Sequence, residues 1–244
     1  MNGQPILLSQ AATYRNAGLP LWKRLLDIAI IFALLPGLVL LGAFVALLVK
    51  CASRGPVLFR QRRVGFRGQE FTCLKFRTMQ HKADTQFHQK HTRELMNSQA
   101  PMVKLDAHSD PRLAPCGAIL RATGLDELPQ LINVLCGEMS IVGPRPCLPY
   151  EFEMYEPWQR RRFNAVPGLT GLWQVSGKNR TTFNQMIRLD IDYSERLSLL
   201  LDLKIILKTA PALWNQCQDT RALRRSNGGS AEEAAKSARI INNI

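Results

Sequence analysis

Asp126 and Glu127 stand side by side in TGLDELPQL, directly before an apolar stretch. Adjacent carboxylates at such a place can do one of two things. They can start a helix: Thr123-x-x-Asp126 has the spacing of a capping box, and acidic groups there meet exposed amides and the positive end of the dipole. They can also do chemistry. A carboxylate is a weak nucleophile toward phosphorus, yet it forms an acyl phosphate once Mg²⁺ and fixed cations neutralise the phosphoryl charge. One carboxylate then attacks while its neighbour holds the metal. Mg²⁺ commonly takes only one or two protein carboxylates and fills its remaining positions with phosphate oxygens and water. Lys75, Arg121 and Arg145 are the cations that could meet the phosphate.

Each of those cations needs an element to present it. In FTCLKFRTM a period of two puts Lys75 and Arg77 on one strand face and Leu74 and Phe76 on the other. This strand belongs to an extended region over residues 56–79 that turns at Gly65 to Gly68. GAILRAT reads as a short helix that carries Arg121 and breaks at Gly124. DELPQLINVLCG has helical spacing at Leu128, Leu131, Ile132 and Leu135 and stops at Gly137. Gly143-Pro144-Arg145-Pro146 forms a stiff turn that holds one guanidinium in place.

Upstream, Ile28 to Val49 form 22 consecutive residues without a charge, enough as one helix to cover a hydrocarbon core of about 30 Å. Two features argue for a helix that enters, breaks and returns. Pro36-Gly37 interrupts the run, and basic residues flank it on both sides: Lys23 and Arg24 before, Lys50, Arg54, Arg60, Arg62 and Arg63 after. A straight span would put one basic cluster on the unfavoured side, whereas a re-entrant helix leaves both near anionic headgroups. YEFEMYEPWQRRRF and DLKIILKTAPALWNQC mix aromatics or apolar residues with cations, as helices at a headgroup boundary do; packed core helices have the same periodicity.

The chain carries 32 Lys and Arg against 19 Asp and Glu, so its partner is anionic. Nucleic acid fits poorly, because base stacking needs aromatics among the cations and only 7% of residues are aromatic. Six cysteines without a C-x-x-C spacing read as buried free thiols. His81, His88 and His91 lie in a polar stretch that reads as a solvated face rather than a metal site.

LWKRLLDIAI, GPVLFRQRRVG, FTCLKFRTM, LDELPQLINVLCGEMSIVGPRP, PGLTGLWQVSGKN and LLLDLKIILKT occur in that order over about residues 21 to 213. Together they closely resemble the bacterial sugar transferase family, the small monotopic phosphoglycosyl transferases. The resemblance implies an enzyme that moves hexose-1-phosphate from a UDP-sugar to undecaprenyl phosphate, releases UMP and primes an exopolysaccharide or O-antigen. UDP-glucose and UDP-galactose are the donors it suggests. By matching motifs, Asp126 would be the nucleophile of a covalent phosphosugar intermediate and Glu127, with Asp126 beside it, would hold Mg²⁺. Lys75, Arg121, Pro144, Arg145, Pro146 and Lys178 would bind substrate, Asp202 would support the site, and Pro36 would break the membrane helix.

Three positions depart from the family pattern: Lys178 stands where many relatives have Arg, Gly124 where Ser is common before the dyad, and Leu35 where Ser is common before the breaking proline. A lysine there offers a point charge in place of a planar fork. The expected architecture is α+β and mostly helical, with interfacial amphipathic helices. Residues 1–20 would be a flexible cytoplasmic tail, 21–53 the re-entrant helix, 54–217 the catalytic domain and 218–244 a disordered tail. It would sit at the bacterial inner membrane among phospholipids, with the catalytic domain on the cytoplasmic face. The sequence leaves open self-association, the hexose and the pathway. The rival function is a membrane-attached scaffold of a polysaccharide assembly complex, in which the acidic pair only caps a helix.

Overall fold

The computed structural model describes residues 19–79, 92–96, 98, 100–102, 113–216 and 218. The two expected tails and His81, His88 and His91 lie outside the described residues, except for the last two residues of the first tail and residue 218 of the second.

Helix α1 (Leu21–Ala52) is 32 residues long and keeps Pro36 inside it. Two charged side chains near its start, Lys23 and Asp27, are buried together with Ile31. Their spacing of four places them on one stripe of the helix. Val45 and Val49 are buried near the other end, and none of residues 32–44 is buried. Both ends of α1 therefore pack on the protein while its middle stays uncovered.

Strands β1 (Leu58–Val64) and β2 (Glu70–Phe76) form an antiparallel hairpin in which Phe59 faces Lys75. This is the extended region read from the sequence. Helix α2 (Gly117–Thr123) ends at Gly124, a left-handed residue with φ 75°. A single 3₁₀ turn, Leu125–Glu127, follows, and then helix α3 (Gln130–Leu135) with Pro129 at its N-cap. Strands β3 (Ser140–Val142) and β4 (Gly168–Thr170) pair in parallel. Between them lie helix α4 (Pro149–Met154) and a 3₁₀ stretch, Gln159–Asn164. Helices α5 (Leu172–Val175), α6 (Phe183–Glu195) and α7 (residues 199–216) follow, and the described residues form a mostly helical α+β fold with two small sheets.

A capping box starts α6: the Thr182 hydroxyl accepts from the Gln185 amide at 3.3 Å, and the Gln185 side chain accepts from the Thr182 amide at 2.9 Å. Helix α6 buries Phe183, Met186 and Ile187 with Val64, Tyr155, Phe163 and Trp173, and Tyr193 with Val142, Ala165 and Ile205. Tyr155 and Phe163 of YEFEMYEPWQRRRF thus enter the core, whereas Glu153, Met154, Arg160 and Arg161 of the same segment are exposed. Helix α7 is different: it buries Asp202 and Ile205 but exposes Leu200, Leu207 and Trp214 beside exposed Lys204 and Lys208.

The expectation that all cysteines are buried needs correction. Cys73 and Cys147 are buried, but Cys51 and Cys136 are exposed, each near the end of a helix where the packed face has run out.

Candidate active site

Asp126 and Glu127 do not cap α3, so the capping-box expectation fails. The Thr123 hydroxyl turns back to donate to the Ile119 carbonyl at 2.8 Å, within its own helix. Gly124 then reverses the chain, and α3 begins only at Gln130. A left-handed φ is easy for glycine and strained for serine, so Gly124 suits this turn.

The turn buries Asp126 and points Glu127 at two cations. Glu127 Oε1 accepts from Lys75 Nζ at 3.1 Å and from an Arg145 guanidinium nitrogen at 3.0 Å. Burial pushes the Lys75 ammonium below its ordinary value, and Glu127 opposes that shift. Arg145 moves the other way, held charged chiefly by Glu127 and also by Asp126. Strand β2 supplies Lys75 and the turn after β3 supplies Arg145, so three distant segments meet at one carboxylate.

Their placement depends on a few buried polar bonds. Asn133 on α3 donates to the Thr72 carbonyl at 2.8 Å and accepts from the Leu74 amide at 3.0 Å. Its amide pairs with the edge of β2 as another strand would, and so fixes Lys75 relative to the dyad. The Arg145 turn rests on β4: Gly143 N–H donates to the Thr170 carbonyl at 2.8 Å and Gly168 N–H to the Pro144 carbonyl at 2.9 Å. The two backbones cross so closely that a Cβ on Gly143 would lie 2.2 Å from the Val166 carbonyl oxygen.

A cleft of about 910 Å³ runs past the dyad. Lys75, Arg121, Arg145, Pro146 and Lys178 line it with Asp126 and Glu127, and Ile30, Leu34 and Leu38 extend it along α1. Lys178 Nζ bonds Gln216 Oε1 at 2.6 Å, from a residue whose own φ is 24°. Pro144 acts through its carbonyl, as above. Asp202 stands elsewhere: it is fully buried, accepts from Lys23 Nζ at 2.5 Å and from the Tyr193 hydroxyl at 2.8 Å, and so fastens α1 to α7. Arg77, expected to share a cationic face with Lys75, lies just past the end of β2 and donates to the Ser53 carbonyl at 2.7 Å.

The chain matches the family described as bacterial sugar transferase over residues 19–216. The chain belongs to the bacterial sugar transferase family. It is 40% identical to the exopolysaccharide production protein ExoY of Sinorhizobium fredii, an alignment covering 78% of this chain and 84% of that protein. It is 41% identical to the UDP-glucose:undecaprenyl-phosphate glucose-1-phosphate transferase of Caulobacter vibrioides, over 86% of this chain and 76% of the relative. With the undecaprenyl-phosphate galactose phosphotransferase of Salmonella typhimurium the identity is 39%, over 64% of this chain and 33% of that longer protein. The matched region takes in α1, the dyad, both of its cations and Lys178 of this sugar transferase.

Asp126 and Glu127 are the side chains that could hold Mg²⁺. Two adjacent carboxylates are the protein share this ion usually takes, and phosphate oxygens supply much of the rest. Among the described residues no group of three or more His, Cys, Asp and Glu side chains converges as a complete protein cage would require.

Sequence reasoning passed over Asn133, Arg162 and Asp190. Asp190 carried a readable signal: it sits with Phe183, Ile187 and Tyr193 on the buried face of α6, and a carboxylate on an apolar stripe needs a partner.

Proposed function

We propose that this protein transfers hexose-1-phosphate from a UDP-hexose to undecaprenyl phosphate in two steps, with Asp126 as nucleophile. In the first, an Asp126 carboxylate oxygen attacks the sugar-linked phosphorus. The bond from that phosphorus to the bridging oxygen breaks, and UMP leaves with the electron pair. In the second, a phosphate oxygen of undecaprenyl phosphate attacks the same phosphorus, the acyl phosphate bond breaks, and the Asp126 carboxylate is restored. Lys75 and Arg145 flank the phosphoryl oxygens and offset their charge. Glu127 holds both cations beside Asp126. Asp126 and Glu127 would hold Mg²⁺, which would supply further neutralisation of the transferring group.

The observation that carries this reading is the Glu127 carboxylate gripped by Lys75 and Arg145 next to buried Asp126, in a cleft that α1 also lines. The relatives' names point the same way, to glucose and galactose phosphate carried on undecaprenyl phosphate. Purified protein given undecaprenyl phosphate, Mg²⁺ and a panel of UDP-sugars is expected to release UMP with UDP-glucose or UDP-galactose. No release with any of them overturns the substrate assignment.

For α1 the reading is re-entrant, with the catalytic body on the cytoplasmic face of the inner membrane and α7 lying in the headgroup region. The cluster around Ile31 includes Cys73, and the one around Val45 and Val49 includes Phe76, three residues along β2 and about 10 Å away. Both ends of α1 pack on the protein while residues 32–44 stay unburied, which favours an arch between them, and Pro36 lies in the interval. Single cysteines placed before and after the apolar run are then expected to react with a membrane-impermeant maleimide from the same side of sealed vesicles. Labelling from opposite sides would establish a span.

A further inference from the structure

The Gly143-Pro144-Arg145-Pro146 turn has an unusual problem. Prolines lack an amide hydrogen, so at two of its four residues the turn can be held only through carbonyl oxygens. The Pro144 carbonyl is taken by the backbone of β4. The Pro146 carbonyl accepts from Arg63 at 3.0 Å, and the carbonyl of Arg145 itself accepts from Arg162 at 2.8 Å.

Arg162 is buried and tightly held. Its other terminal nitrogen donates to the Tyr155 hydroxyl at 2.7 Å, its guanidinium pairs with buried Asp190 of α6 at 2.6 Å, and the rings of Tyr155 and Phe163 lie 5.6 Å from it. Arg162 and Asp190 are 2% and 1% exposed, so both ions have lost nearly all their water. A buried ion pair of this kind often stabilises a fold no better than apolar side chains of the same volume would. What an apolar pair could not do is grip the Arg145 carbonyl.

We propose that Arg162, set by Asp190 and Tyr155, is a positioning residue that fixes the backbone of Arg145 and thereby aims its guanidinium at the dyad. This rests on the reading of Asp126 and Glu127 as the reacting pair. Arg162 does not touch substrate; it acts through Arg145, and it ties the site to α6 on the far side of the turn.

A double-mutant cycle on UMP release separates this role from a general effect on folding. Arg162→Lys keeps a charge for Asp190 but cannot reach both Tyr155 and the Arg145 carbonyl. The expected loss in kcat is about 10- to 100-fold, the scale of a misplaced group of about 1 Å. In an Arg145→Ala background the same change is expected to cost less than about 2-fold, because the group it positions is gone. Thermal melting of every variant in the same detergent reports the fold separately, and Asp190→Asn takes the place of Arg162→Lys if the latter does not fold. Losses that multiply in the double variant, or a folded variant with the parent kcat, overturn the proposal. Absence of UMP release from the parent protein would instead overturn the catalytic reading beneath it.

Discussion

Asp126→Asn is expected to lower UMP release by about 10³-fold or more, since an amide lacks the anionic oxygen that attacks phosphorus and the first bond cannot form. Asn is close to Asp in size and shape, so it fits the buried place that Asp126, 7% exposed, takes in the turn that Gly124 begins. Melting close to that of the parent protein would show the loss to be chemical. The scaffold reading expects something else: a variant that still supports polysaccharide assembly in cells, because the acidic pair would have only a structural task. Thr123 already weakens that alternative. Its hydroxyl bonds back into α2, and α3 starts beyond the dyad, so neither carboxylate is doing the work of a cap.

The second large effect concerns stability. Asp202→Asn removes the charge that faces Lys23, and the two side chains are 0% and 2% exposed. Breaking a buried pair strands the remaining ion and costs about 3–5 kcal/mol. For a chain of this size that is a fall in melting temperature of about 10 °C, read by thermal unfolding in detergent. Removing both charges, with Lys23→Met and Asp202→Leu together, should cost less than the single change, although buried Asp27 then loses the Lys23 cation and keeps its bonds from the Ser140 hydroxyl and the Ile141 amide. Equal melting of Asp202→Asn and the parent would contradict the role assigned to this pair. The Tyr193 hydroxyl, which donates to Asp202, also lies 3.0 Å from the Val142 carbonyl, directly before the Arg145 turn. The anchorage of α1 is thus built onto the strand that leads into the site.

The elements that carry chemistry were the most legible part of the sequence. The alternation in FTCLKFRTM identified a strand and put Lys75 on a polar face, and the two prolines around Arg145 announced a fixed turn. The helix ending at Gly124 was equally plain, because glycine is the residue that takes a left-handed φ at little strain. Local pattern misled at Thr123-x-x-Asp126, where a spacing suited to a cap competes with a chain reversal one residue on. It was silent on the partners: nothing near Glu127 in the sequence says that Lys75, 52 residues earlier, will lie 3.1 Å away. Arg162 was hidden for another reason. It sits in QRRRF, part of a segment whose mixture of aromatics and cations suits a headgroup boundary as well as a packed core, and the packing of Tyr155 and Phe163 around it takes it inside. Lys23 and Asp27 could have been found, since they share a helical stripe with Ile31 and a charge on such a stripe implies a buried counterpart.

The most direct test is mass spectrometry of the protein quenched during turnover with UDP-hexose and Mg²⁺, before acceptor is added, and then digested to peptides. A hexosyl phosphoryl group is expected on Asp126, absent from Asp126→Asn and discharged when undecaprenyl phosphate is supplied. The same group found on a different side chain, or lipid-linked product accumulating with no modified protein at any time, would contradict the account.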